Sequence, residues 1–357
     1  MRLNQFKAEL AKKGVDFAVF LNLDTTRLDS NLFYFSGFEG IGALIIPKNK
    51  RPFLVAPLLD YERAKKCGMK VYAPKKKKRL LEYIATIVKK NRIRLKKIGI
   101  DKGSLTLREH KALKKYFRKS KTVDVSGICF ELREFKKEGE LKNIKKACAI
   151  SDNILKKCFG QFKRFKTESE VAAFLEFETK KLGCELAFKP IVASGHAGSM
   201  SHYVPENIKL RKGFCVIDFG VKYKGYCSDT TRTIFIGKPA KRDIEIYEFL
   251  LKIQMDAIKR VKTDMVGGDA FKFVNDSLGR YSKNFIHGLG HGLGVDIHEL
   301  PNLREDSKDK LKNGMVFTIE PGIYFEKRFG IRIEDTVYLE NKALVLTKIP
   351  KKMVIIN

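Results

Sequence analysis

The stretch VIDFGVKYKGYCSDTTRTIFI, residues 216–236, decides the reading of this chain. Two β-rich runs flank a polar, Gly-containing turn, the pattern of a β-hairpin. Asp218 and Asp229 are equidistant from Tyr223–Lys224, so the spacing predicts that they oppose each other with both side chains on one face. A second stretch, VFTIEPGIYFEKRFGIRIEDTVY (residues 316–338), repeats the design, with Glu320 and Glu334 symmetric about Lys327. Like charges set opposite one another repel. Two such pairs in one domain make sense when cations lie between them. His291 completes a set of four carboxylates and one imidazole, donors suited to two hard or borderline divalent cations held close together. It stands in HGLGHGLG (residues 287–294), where glycines let backbone approach closely.

At 357 residues the chain is too long for one average core, so two domains are expected. No run is long and apolar enough to span a bilayer. The opening MRLNQFKAELAKKGVDFAVF reads as an amphipathic helix entering a strand, not as a signal peptide. Seven scattered cysteines, odd in number and without a CxxC pair, fit reduced thiols in the cytoplasm. The net charge is +31, most of it before about residue 136, with one dense run, KKKKR, at 75–79. Such a surface admits weak, salt-sensitive, non-specific nucleic-acid binding, but no signature of specific recognition accompanies it.

Along the chain, helices are expected near 4–13, 59–66, 80–90 and 107–118, and strands near 17–21, 43–46, 52–56, 97–100 and 122–125, with a turn-rich segment ending in NLFYFSGFEG. That alternation describes an α/β domain with a mixed sheet. The pattern gives way to a charged bridge at 126–138, and the division is placed between residues 127 and 128. A long amphipathic helix over 138–158 follows, then a second opened by a capping box at Thr167 and Glu170. Further helices are expected over 241–262 and after Gly268, between the two carboxylate hairpins.

Several motifs now carry a resemblance. IVASG with the following His202, VIDFGVKYKGYCSDTTRT, HGLGHGLGVDIHE, TIEPGIY and GIRIEDT occur in family order and spacing, and NLFYFSGF matches the amino-terminal part. The chain resembles the pita-bread metallopeptidases, within them the Xaa-Pro aminopeptidase (aminopeptidase P) and Xaa-Pro dipeptidase (prolidase) group. The resemblance implies a creatinase-like α/β amino-terminal domain (1–127) and an α+β pita-bread catalytic domain (128–357). It implies that Asp218 chelates one metal, that His291 and Glu320 bind the other, and that Asp229 and Glu334 bridge both. A water or hydroxide between the metals would be the nucleophile, with Glu320 shuttling its proton. His202 and His298 match non-ligand catalytic histidines, and His287 and Arg332 match pocket positions. Ser201 replaces the usual proline before His202, which leaves His196 as a fallback. Family habit suggests Mn²⁺ or Co²⁺, while Zn²⁺ or Fe²⁺ also suit these donors. It further suggests a homodimer acting on peptides with proline second. Methionine aminopeptidases share the carboxy-terminal half but generally lack the first domain; creatinase-like hydrolases lack the metal set. A non-catalytic nucleic-acid-binding member of the fold is the rival from another class.

Overall fold

A computed structural model describes residues 2–74 and 79–357. Lys75 to Lys78 of the dense basic run lie outside the described residues. The chain forms two compact units, Met1–Leu132 and Arg133–Asn357; residues 127 and 128 fall inside the helix Ser126–Glu134. No described helix is long and apolar enough to cross a membrane.

The first unit is built on Phe17–Asn22, a strand with every residue buried. Full burial follows from period-two geometry, because alternate residues enter different cores. Phe17, Val19 and Leu21 pack with the helices Leu80–Lys90 and Leu107–Tyr116. Ala18 and Phe20 pack with Phe6 and Leu10 of Arg2–Lys12 and Leu32 and Phe35 of Ser30–Ser36. The sheet has six strands in mixed directions, antiparallel to Gly42–Pro47 on one side and parallel to Lys97–Ile100 on the other. Three elements escaped the sequence reading: the helices Ser30–Ser36 and Ser126–Glu134 and the strand Lys70–Tyr72.

The second unit pairs sheets with helices. Glu138–Gly160 and Glu168–Lys181 pack through Ile154, Leu155, Val171 and Leu175 against the four-stranded sheet containing Gly213–Phe219 and Thr230–Ile236. Lys241–Arg260 and Gly267–Leu278 cover the five-stranded sheet containing Gly290–Gly292, Val316–Ile319 and Asp335–Glu340. Thr167 caps its helix by accepting from the Glu170 N–H at 3.2 Å. Glu170 does not complete the expected box; its carboxylate accepts from the Lys166 N–H instead.

The two sheets are bolted together behind the carboxylates. Arg232, 3% exposed, reaches Asp335, 0% exposed, at 2.8 Å. Arg232 also donates to the carbonyls of Thr231 and Ile349, and Asp335 accepts from Gln254, Thr347 and Lys351. Removing one member of such a pair leaves a buried charge uncompensated. Asp335→Asn is therefore expected to cost about 3–5 kcal/mol, read from the denaturant midpoint; a change under about 1 kcal/mol would show that the pair is not needed.

Candidate metal centre

The first hairpin turns on Lys224 and Gly225, both with positive φ (47° and 79°), the backbone required by a tight two-residue turn. The pairing is Tyr223 with Tyr226 and, further out, Asp218 with Thr231. The expected midpoint was therefore one residue early. Asp218 does not face Asp229 directly; the two are offset diagonally by two residues, still on one face of the ladder. In the second hairpin Ile319 pairs with Asp335 and Gly322 with Arg332. The same register on both sides sets Glu320 opposite Glu334, about the turn at Lys327.

Hydrogen bonds join the hairpins. The Glu334 N–H donates to the Thr231 carbonyl at 3.1 Å, and the Thr231 hydroxyl donates to Glu334 Oε2 at 2.6 Å. His291 arrives on the short strand Gly290–Gly292. A Cβ at either flanking glycine would sit 2.0 Å from the Thr318 or Leu300 carbonyl oxygen, so the motif needs glycine on both sides. His291 Nδ1 lies 3.1 Å from the Gly292 carbonyl. Donation there leaves the Nε2 lone pair facing the carboxylates, the tautomer a metal ligand needs. Nε2 is 3.5 Å from Asp229 Oδ2 and 3.4 Å from Glu320 Oε1. One ligand atom each from Asp229, His291 and Glu334 lies within 4.8 Å of the others.

Burial and mutual repulsion act together on these carboxylates. Burial, then Glu334, Asp218 and Glu320, push the Asp229 carboxyl well above its usual range. Burial, then Glu320 and Asp218, do the same to Glu334, and burial raises Glu320. Burial also lowers His291, favouring neutral imidazole. Asp218 Oδ1 and Asp229 Oδ1 are buried without a hydrogen-bond partner. Unpartnered carboxylate oxygens at a crowded acidic cluster are what divalent cations satisfy, so the residues present fit the metals implied by this donor set.

Around the carboxylates, all nine candidate side chains line one cavity of about 350 Å³: Asp218, Asp229, His291, Glu320, Glu334, His202, His298, His287 and Arg332. His202, not His196, lines it. The His298 ring lies 4.3 Å from that of His291. Arg332, 3% exposed, is committed: it reaches Asp218 Oδ2 and the Tyr324 hydroxyl, each at 2.7 Å, and donates to the Thr231 hydroxyl. Tyr324 in turn lies 2.9 Å from His287 Nε2. Tyr324 and Thr231 were missed by the sequence reading, although both lie inside motifs it quoted. Lysine cannot reproduce the planar fork of Arg332, so Arg332→Lys is expected to weaken metal binding about 10–100-fold. Calorimetry measures this, and unchanged affinity would rule out the bracing role.

Known proteins resemble this chain over nearly its whole length. Residues 142–341 match the family model described as metallopeptidase family M24, and residues 2–135 match the creatinase/prolidase N-terminal domain. A Xaa-Pro dipeptidase of Pyrococcus furiosus is 36% identical, over 90% of this chain and 92% of its own length. The structure resembles a prolidase from Pyrococcus horikoshii (TM-score 0.89, 30% identity, 99% of each chain) and an X-Pro aminopeptidase from Thermotoga maritima (TM-score 0.88, 30% identity, 96% of this chain and 98% of that one). The chain belongs to metallopeptidase family M24, in the group whose pita-bread catalytic domain follows a creatinase/prolidase N-terminal domain.

Proposed function

We propose that this protein is a metal-dependent exopeptidase that hydrolyses the bond between an amino-terminal residue and a following proline. The observation that carries the reading is the convergence of four carboxylates and His291 on one cavity that also holds His202 and His298. Asp218, Asp229, His291, Glu320 and Glu334 would hold two divalent ions, Mn²⁺ or Co²⁺ in this reading. When bound, such ions polarise a carbonyl and make water acidic enough to attack at neutral pH. Glu320, raised by burial and bonded to the Thr318 hydroxyl at 3.0 Å, is suited to take up and pass on a proton. His202 and His298 line the cavity as hydrogen-bond partners for the developing oxyanion and the departing nitrogen. Phe188, Ile191 and Ile297 supply apolar wall for the pyrrolidine ring.

An Xaa-Pro bond is a tertiary amide without an N–H. A protease that grips its substrate as an added strand loses a donor there, whereas a site acting on the carbonyl needs only an acid for the ring nitrogen. Cytoplasmic location and assembly as a homodimer belong to the same reading; the buried thiols of Cys148, Cys158, Cys184, Cys215 and Cys227 support the former. The test is proline release from a Xaa-Pro dipeptide beside cleavage of a Xaa-Pro-Xaa tripeptide, using metal-stripped protein reconstituted with Mn²⁺ or Co²⁺. Turnover of the dipeptide alone means a prolidase, and comparable or better cleavage of the tripeptide means an aminopeptidase P. Silence on both, with metal demonstrably bound, refutes the substrate assignment.

A further inference from the structure

Arg133 and Lys136 lie in the charged stretch that precedes the catalytic motifs, yet their side chains are 3% and 2% exposed. Both donate to Glu299, whose side chain is also 3% exposed. Arg133 reaches Glu299 Oε1 through Nε at 3.1 Å and Nη2 at 2.6 Å, and Lys136 reaches Oε2 at 3.0 Å. Arg133 also pairs with Asp296. The same Oε1 accepts the N–H groups of Val295 (2.9 Å) and Asp296 (3.1 Å), so the carboxylate closes the loop 294–299 on itself. Burial would raise the Glu299 carboxyl, but Lys136 and Arg133 outweigh it and hold it below the usual carboxylate range. A Cβ at Gly294 would lie 2.5 Å from Glu299 Oε2, so the loop's first residue must be glycine for the carboxylate to seat.

His298 immediately precedes Glu299. Its neighbour Ile297 also lines the cavity. Among the described residues no hydrogen bond holds the exposed His298 imidazole, whose ring packs edge-on against that of His291. Its direction is therefore set by the loop, and the loop's shape by Glu299. Buried ion clusters add little net stability but can select one conformation over others. We propose that Arg133 and Lys136 are positioning residues: acting through Glu299, they fix the loop 294–299 and so hold His298 in the cavity beside His291. This rests on the role given above to His298.

The test uses the full metal-loaded protein with Arg133→Lys, which keeps the charge but loses the fork, and Lys136→Met. Arg133→Lys is expected to lower kcat on a Xaa-Pro dipeptide about 10–100-fold, with KM and Mn²⁺ affinity changed less than about twofold. In a His298→Ala background, adding Arg133→Lys is expected to cause no further loss, because the two changes act on one unit. The chain has six histidines, so the His298 ring signals can be assigned in a long-range ¹H–¹⁵N spectrum by their loss in His298→Ala. They are expected to move in Arg133→Lys while those of His110 and His196 stay. That spectrum is recorded on the Zn²⁺-loaded protein, because paramagnetic Mn²⁺ would broaden a ring so near it, and it needs no turnover. A wild-type protein inert on Xaa-Pro peptides, with His298 still displaced in the variant, would retire the function and keep the positioning. Additive loss of kcat together with unmoved His298 signals would overturn the proposal. Should Lys136→Met fail to fold, Arg133→Lys decides alone.

Discussion

Replacing Asp229 or Glu334 by alanine is expected to lower kcat/KM on a Xaa-Pro dipeptide by about 10³-fold or more, beyond what removal of a single oxyanion donor costs. These are the two candidate bridging ligands, 5% and 1% exposed. Each is pushed up by burial and by the other carboxylates around it. Removal of either leaves too few donors to hold two ions together, and the chemistry those ions supply goes with them. The cost should fall on metal binding and not on the fold. In the metal-free protein the carboxylates repel, so the isosteric Asp229→Asn is expected to be at least as stable as metal-free wild type near pH 8, by denaturant unfolding. Substantial turnover surviving both alanine changes would refute the mechanism. A collapse of metal-free Asp229→Asn would mean that the carboxylate serves the fold.

Stripping the metal is expected to abolish turnover and to reverse the pH response of stability. Asp229, Glu334 and Glu320 have folded pKa values raised above the unfolded ones, which lie near about 4. The folded metal-free protein therefore holds protons that the unfolded chain releases. Their contribution is fully present below about pH 4 and is lost as pH rises through the folded values. Divalent ions take the place of those protons, so binding should tighten about tenfold per pH unit for each proton displaced. Thermal unfolding from pH 5 to 8 checks both halves. Relative to Asp229→Asn, which lacks one titrating carboxyl but keeps the histidines whose lowered values push the slope the other way, the metal-free midpoint should fall across this window while the increment given by Mn²⁺ grows. A metal-free midpoint that rises with pH relative to Asp229→Asn would contradict the crowded-carboxylate picture.

The candidate metal ligands could be picked out because their motifs are local. Each hairpin carries its own turn, and His291 is announced by glycines that nothing larger can replace. Register was harder. The offset of Asp218 from Asp229 depends on locating a turn to within one residue, and the Lys224–Gly225 pair, with its positive φ values, was the available clue. Thr231 and Tyr324 gave no comparable signal. Thr231 acts on Glu334 from 103 residues away, and Tyr324 matters only once Arg332 and His287 are folded onto it. Ser126–Glu134 read as part of a charged bridge because its charges are visible in sequence, while the burial of Arg133 is a tertiary fact. Ser30–Ser36 is too short to show helical periodicity; the Asp29 side chain accepting from Asn31 and Leu32 marks its start. The strand Lys70–Tyr72 is three residues long at a sheet edge, below the length at which alternation can be read.

The most direct test of the whole reading is a calorimetric titration of metal-stripped protein with Mn²⁺, run beside proline release from a Xaa-Pro dipeptide and cleavage of a Xaa-Pro-Xaa tripeptide. The expected result is that two ions bind, that cleavage of an Xaa-Pro bond appears as they do, and that Asp229→Ala removes both. Full occupancy by two ions with neither peptide cleaved, or cleavage that persists in the stripped protein, would contradict it.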